Sequence, residues 1–136
     1  MGLAVAQSLS TQDWDIHLLD LNHTTGSAAA ASLSATFHQL DITSYSNLAS
    51  VFKTVFQTKR RIDFVFANAG IAEKANFYVQ NSEFGDEAPP EPNLLCVNIC
   101  LNSVITTSYL ALHYFRLSPK EADKSLVMTG LSTPPT

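Results

Sequence analysis

Charge is scarce in this 136-residue chain, with aspartate, glutamate, lysine and arginine together making up 15% of it. The net charge is −4, and among the 8 basic residues only Lys59, Arg60 and Arg61 form a cluster. Such a chain has no electrostatic footprint for a phosphate backbone, so nucleic acid is not expected as a partner. The three cations instead close an expected helix, where positive charge complements the helix dipole. Cysteine is equally sparse: Cys96 and Cys100 stand four apart on one expected helix. Two thiols are too few for a closed zinc site, so no metal is expected, and the pair reads as buried thiols in a reducing, cytoplasmic compartment. No basic n-region precedes the first apolar stretch, and Ala6 stands where a myristoylation signal needs Ser or Thr, which argues against secretion and lipid anchoring. The longest apolar stretch, residues 94–115, is interrupted by Asn98, Asn102, Ser103, Thr106, Thr107, Ser108 and His113. It reads as a buried helix, and no membrane is expected as a partner.

Apolar residues are plentiful at 46%, enough for a real core in one domain spanning residues 1–136. A short helix is expected from residue 2 to 10, then a strand over 16–21 apolar enough to be buried on both faces. An alanine-rich helix over 28–33 and a strand over 36–40 follow. Leu48, Val51, Phe52, Val55 and Phe56 then keep the spacing of one helix face. A third strand covers 62–67, a proline-rich surface loop 71–92, a long helix 93–116 and a fourth strand 125–130. Strands alternating with helices imply right-handed crossovers and a mostly parallel sheet, an α/β fold. In such sheets ligands gather beyond the carboxyl ends of the strands, where Asp20, Asp41 and Asn68 all fall.

Gly2 opens a helix and Asp20 lies 18 residues later at a strand end, near the spacing of about 20 between a dinucleotide fingerprint and its ribose-binding acid. A carboxylate there accepts both ribose hydroxyls and repels a 2′-phosphate, which favours NAD over NADP. An Asp in that place also serves commonly as a helix cap or turn former.

Five short motifs in order carry a resemblance: Gly2-Leu3-Ala4, Leu19-Asp20, Leu40-Asp41, Ala67-Asn68-Ala69-Gly70 and Val97-Asn98. Together the chain resembles the short-chain dehydrogenases, particularly fungal members similar to 15-hydroxyprostaglandin dehydrogenase-like enzymes. The resemblance implies a Rossmann-like, doubly wound parallel sheet that is incomplete here, lacking the family's first strand and its C-terminal strands. It implies cofactor contacts from Gly2, Asp20, Asp41 with Ile42, and Asn68 with Ala69 and Gly70. Asp41 is to bond the adenine amino group, Gly70 to let backbone and nucleotide approach, and Asn98 to hold a water in a proton relay. Ser132 stands one place after the family's catalytic serine position, which Leu131 occupies. The Tyr-x-x-x-Lys pair that tunes proton exchange in the family is absent: no tyrosine here has a lysine four places on. The family's first strand lies between the strands expected at 16–21 and 62–67, so those two should either pair directly or present open apolar edges.

The reading is therefore of a fragment of an NAD(P)-dependent oxidoreductase interconverting an alcohol and a ketone by hydride transfer, with only weak cofactor binding in this chain. The alternative is a non-catalytic nucleotide-binding or subunit-interaction module of the same descent, since the resemblance also implies a homo- or hetero-oligomer formed through the 93–116 helix.

Overall fold

Beta-rich and helical segments alternate as the composition demands, and the computed structural model describes residues 1–74 and 85–130. Helix α1 (Gly2–Ser10) leads to strand β1 (His17–Asp20), helix α2 (His23–Leu33) and strand β2 (Thr36–Gln39). Helix α3 (Tyr45–Lys59) and strand β3 (Phe64–Ala67) follow. A long helical stretch then comprises α4 (Leu95–Val97), a π-helical turn (Asn98–Asn102) and α5 (Ser103–Leu117), before strand β4 (Ser125–Met128). Residues 71–74 and 85–92 have neither helix nor strand, as expected for the loop. The rest of that loop and Ser132 lie outside the described residues.

Each helix stops for a local reason. Ser34 and Arg60 take left-handed backbone conformations just past α2 and α3, with φ of 53° and 56°, and their N–H groups close the last turns onto Ala30 and Phe56 carbonyls. Asn22 caps α2 by accepting from the Thr25 N–H at 3.1 Å. The basic cluster thus ends α3, as its sequence position implied.

The strands are parallel, but they form two sheets of two strands each: β1 with β2, and β3 with β4. Strands β1 and β3 do not pair. Of the two expectations for these strands, open edges is the outcome. Between them runs a cleft of about 920 Å³, lined by His17 to Asp20 on one side and Asp63 to Asn68 on the other. Three buried side-chain polar atoms without a hydrogen-bond partner among the described residues, His17 Nε2, Asp63 Oδ1 and Asn68 Oδ1, belong to residues of this same lining.

The core lies under the helices. Leu48, Phe52 and Phe56 on α3 pack with Leu110, Ala111 and Phe115 on α5, together with Leu40 and Ile62. Ser118 Oγ accepts from the Ile62 N–H at 2.9 Å, tying the end of α5 to the approach to β3. The helix expected to be buried is only partly so. Leu95–Leu117 is the one helix among the described residues long and apolar enough to cross a membrane by length and composition, with 17% of its most apolar window buried. Its Ser103, Leu110, Ala111 and Phe115 face inward, while Leu101, Ile105, Tyr109 and Leu112 are exposed. The chain exposes 9812 Å², whereas a compact protein of 14.8 kDa exposes about 7,000 Å².

Candidate functional site

The cleft is built by the parallel register. The Leu40 N–H donates to the Asp20 carbonyl at 3.1 Å, so the ends of β1 and β2 are neighbours and Asp41 follows the last bond of that ladder. On the other sheet the Thr129 N–H donates to the Ala67 carbonyl at 3.2 Å, and Thr129 Oγ1 donates to the Asn68 carbonyl at 3.3 Å. These bonds hold the Asn68 backbone at the carboxyl rim of β3. Gly2 adjoins it: a Cβ placed there would stand 2.9 Å from Asn68 Nδ2, so a larger residue would have to displace the amide end of the Asn68 side chain. Gly2, Asp20, Ile42, Asn68 and Ala69 all line the one cleft.

Asp20 is exposed at the rim, and its Oδ1 accepts from the Asn22 N–H at 2.8 Å. It therefore does form the turn before α2 while also facing the cleft. Asp41 is engaged more fully: its Oδ1 accepts from the Thr43 N–H at 2.9 Å and from Thr43 Oγ1 at 2.8 Å. The Thr43 backbone bond, then the hydroxyl bond, holds the Asp41 carboxyl below its ordinary pKa. Asp41 stands beside the cleft and not in its lining, while the neighbouring Ile42 lines it and packs on the core.

Gly70 follows at the carboxyl end of β3. It too lies off the cleft lining, and a Cβ there would meet only Cys100 Sγ at 3.5 Å, an ordinary contact. Among the described residues no close approach requires a glycine there. Cys96 and Cys100 were expected to be buried thiols, yet Cys96 is half-buried and Cys100 exposed. Asn98 opens the π-helical turn, is exposed, and accepts at Oδ1 from Asn102 Nδ2 at 2.9 Å. Single π turns are frequent at functional sites because they re-aim one side chain without ending the helix. Asn98 is not in the cleft lining.

Two features escaped sequence reasoning. A Cβ on Gly26 would lie 2.1 Å from the Phe37 ring, so α2 reaches β2 only through this glycine. A glycine inside an alanine-rich helical run was the available signal. His17 and His38 stack at 5.2 Å between ring centroids, with Nδ1 of one 2.9 Å from Nε2 of the other. Parallel pairing makes Thr36 the partner of His17, which puts His38 diagonally across on the same face. Burial first, and the neighbouring His17 second, lowers the His38 pKa.

Two open-edged parallel sheets, helical crossovers and a cleft running between β1 and β3, with Asp20 and Asn68 at its carboxyl end, define a partial Rossmann fold. Residues 1–129 match the profile of the family described as Enoyl-(Acyl carrier protein) reductase. The chain is 47% identical over 136 residues to the short-chain dehydrogenase/reductase prx7 of Penicillium rubens, an alignment covering 96% of this chain and 48% of that protein. It is 31% identical to the short-chain dehydrogenase/reductase prx6 of the same fungus, covering 96% of this chain and 45% of the relative. A short chain dehydrogenase from Burkholderia cenocepacia, solved in complex with NADP, superposes with a TM-score of 0.70 at 19% identity, covering 95% of this chain and 50% of that one. The chain belongs to the short-chain dehydrogenase/reductase family, and it spans about half the length of the relatives it matches.

Proposed function

We propose that this chain supplies the adenosine-binding half of an NAD(P)-dependent oxidoreductase that interconverts an alcohol and a ketone. The observation that carries the reading is that Gly2, Asp20, Ile42, Asn68 and Ala69 all line the one cleft between β1 and β3. The residues fit the cofactor: Asn68 Oδ1 is a buried acceptor with no donor among the described residues, and a ribose hydroxyl is a donor of the right kind. Asp20 would accept from the ribose diol with the carboxylate oxygen that the Asn22 N–H does not use. Its charge disfavours a 2′-phosphate, so NAD is the preferred form. The first turn of α1 carries no acidic residue, leaving its N-terminal amides for an anionic group. Ile42 would press on the adenine ring, with Asp41 beside it bonding the exocyclic amine.

The cofactor, when bound, supplies the hydride acceptor or donor. Within this chain Asn98 would order a water at the start of the long helix. The acid-base pair that exchanges the substrate hydroxyl proton is assigned to the other half of the whole protein, as the relatives' lengths allow.

Calorimetric titration tests the reading. NAD and AMP should bind with dissociation constants near the millimolar range, since half the dinucleotide's contacts are supplied here. Asp20→Ala should weaken both at least fivefold and narrow the preference against NADP. No heat from either ligand at several millimolar sinks the proposal.

A second reading rests on the exposed Leu101, Ile105, Tyr109 and Leu112, which recur at helical spacing on α5 and the turn before it. This stripe supports docking of the long helix against another subunit of the family, in a cytoplasmic oligomer.

A further inference from the structure

Main-chain groups along a strand point to its two sides in turn, and the ladders show which side is used. The Thr36 N–H donates to the Ile16 carbonyl and the Leu40 N–H to the Asp20 carbonyl, so Ile16, Leu18 and Asp20 turn their main-chain groups toward β2. The Ser125 N–H donates to the Asp63 carbonyl and the Thr129 N–H to that of Ala67, so Asp63, Val65 and Ala67 turn theirs toward β4. The N–H and C=O groups of His17 and Leu19 on β1, and of Phe64 and Phe66 on β3, therefore point away from those partners. Among the described residues they have no backbone partner, and all four residues line the cleft.

The two edges run the same way. At their amino ends Lys59 pairs with Asp15 at 3.8 Å and Trp14 meets the Phe64 ring edge-on at 6.3 Å, while Gly2, Asp20 and Asn68 share the lining at the other end. A strand within a packed sheet takes up about 4.8 Å by 10 Å in cross-section and about 3.3 Å of length per residue, hence about 160 Å³ each. At that rate a cleft of about 920 Å³ holds about six residues. Charge gives the contents a direction. Lys59 and Arg61 are paired with Asp15 and Asp63, which leaves Asp13 and Asp123 of the lining as surplus carboxylates at the amino end. The other end has one carboxylate in the lining, Asp20, together with the amino end of α1, whose amides attract oxygen.

We propose that the cleft is an acceptor groove for one extended, apolar peptide segment with a basic amino end, which inserts parallel to β1 and β3 and joins the two sheets into one. Its alternate residues would hydrogen-bond to His17 and Leu19 on one side and to Phe64 and Phe66 on the other, giving each free main-chain group a partner. Its side chains would rest on half-buried apolar residues of the lining, Val5 and Leu9 on α1 and Val51 and Val55 on α3. A second folded copy does not supply such a segment from its described residues: each strand there already uses one edge, and a strand held between two others needs both edges free. The groove stands on the sheet edges, independent of nucleotide binding at the rim.

Titration of the full 136-residue chain with the capped peptide acetyl-Lys-Val-Ile-Val-Val-Thr-amide is the test, read by amide hydrogen exchange and by the fluorescence of Trp14, the single tryptophan, at the amino mouth of the groove. The fluorescence change should saturate at one equivalent, and exchange at His17, Leu19, Phe64 and Phe66 should slow at least tenfold. The same peptide N-methylated at alternate residues should bind at least tenfold more weakly, and one with its lysine moved to the carboxyl end at least fivefold more weakly. These controls alter the peptide alone, so the chain's own folding is untouched. No slowing at millimolar peptide, slowing on one strand only, or equal affinity for either altered peptide overturns the proposal. So do edges already protected in the peptide-free chain at tens of micromolar, as pairing between copies would leave them.

Discussion

At the scale of single residues, glycine separates into two kinds here. Gly26 lets α2 lie on the Phe37 ring, and any Cβ would stand 2.1 Å from it. Gly26→Ala should therefore destabilise the chain by about 1–3 kcal/mol through overpacking. Gly70→Ala, meeting only an ordinary contact at Cys100, should stay within about 0.5 kcal/mol of the parent. Urea midpoints at unchanged slope measure both, and equal losses would contradict the contrast. This difference was not legible in the sequence, where Gly70 sits in a motif and Gly26 does not. A motif marks what a ligand meets; a clash distance depends on which element crosses above. Asp20 was legible for the opposite reason. Its place at a strand end fixes it to the carboxyl rim whatever surrounds it, and the structure finds it both turning the chain and facing the cleft.

The elements themselves were read well because apolar periodicity reports burial, and burial decides α3. Its Leu48, Phe52 and Phe56 are the buried face, and its half-buried Val51 and Val55 line the cleft. The same logic misjudged the long helix: apolar composition all round implies burial on every side only if partners exist on every side. Here one side packs on α3 and another carries Leu101, Ile105, Tyr109 and Leu112 in the open. If that stripe is the subunit contact, the double substitution Leu101→Glu with Ile105→Glu should shift the chain to the monomer in sedimentation at tens of micromolar, without loss of helical dichroism. An unchanged sedimentation profile in both forms would show that the stripe has no such role. The π-helical turn lay beyond sequence reasoning altogether, since Asn98 through Asn102 carries no proline or glycine to announce it.

For the whole molecule, stability should depend on acid in a definite direction. His38 has its pKa lowered from 6.5 by burial and by His17, so the unfolded chain binds a proton there before the folded chain does. Stability is thus complete above about pH 6.5 and declines as the pH falls toward the depressed folded value. Asp41 acts further down: its lowered pKa adds stability above 3.8 that is lost as the pH drops through the folded value. His38→Gln should flatten the upper part of the decline and leave the lower part, as seen in thermal midpoints between pH 7 and pH 5. An identical slope in the variant would remove His38 from the account. Lys59 pairs with Asp15 at 3.8 Å, and the other oxygen of Asp15 lies 3.7 Å from His17 Nε2.

The parted sheets have a further effect on how this polypeptide behaves in company. Strand margins that face solvent are templates, and β1 of one molecule can hydrogen-bond alongside β3 of the next. Such a head-to-tail junction uses two different surfaces, so nothing obliges it to close into a ring. Copies joined in that way would extend as an open chain of molecules and not as a closed ring.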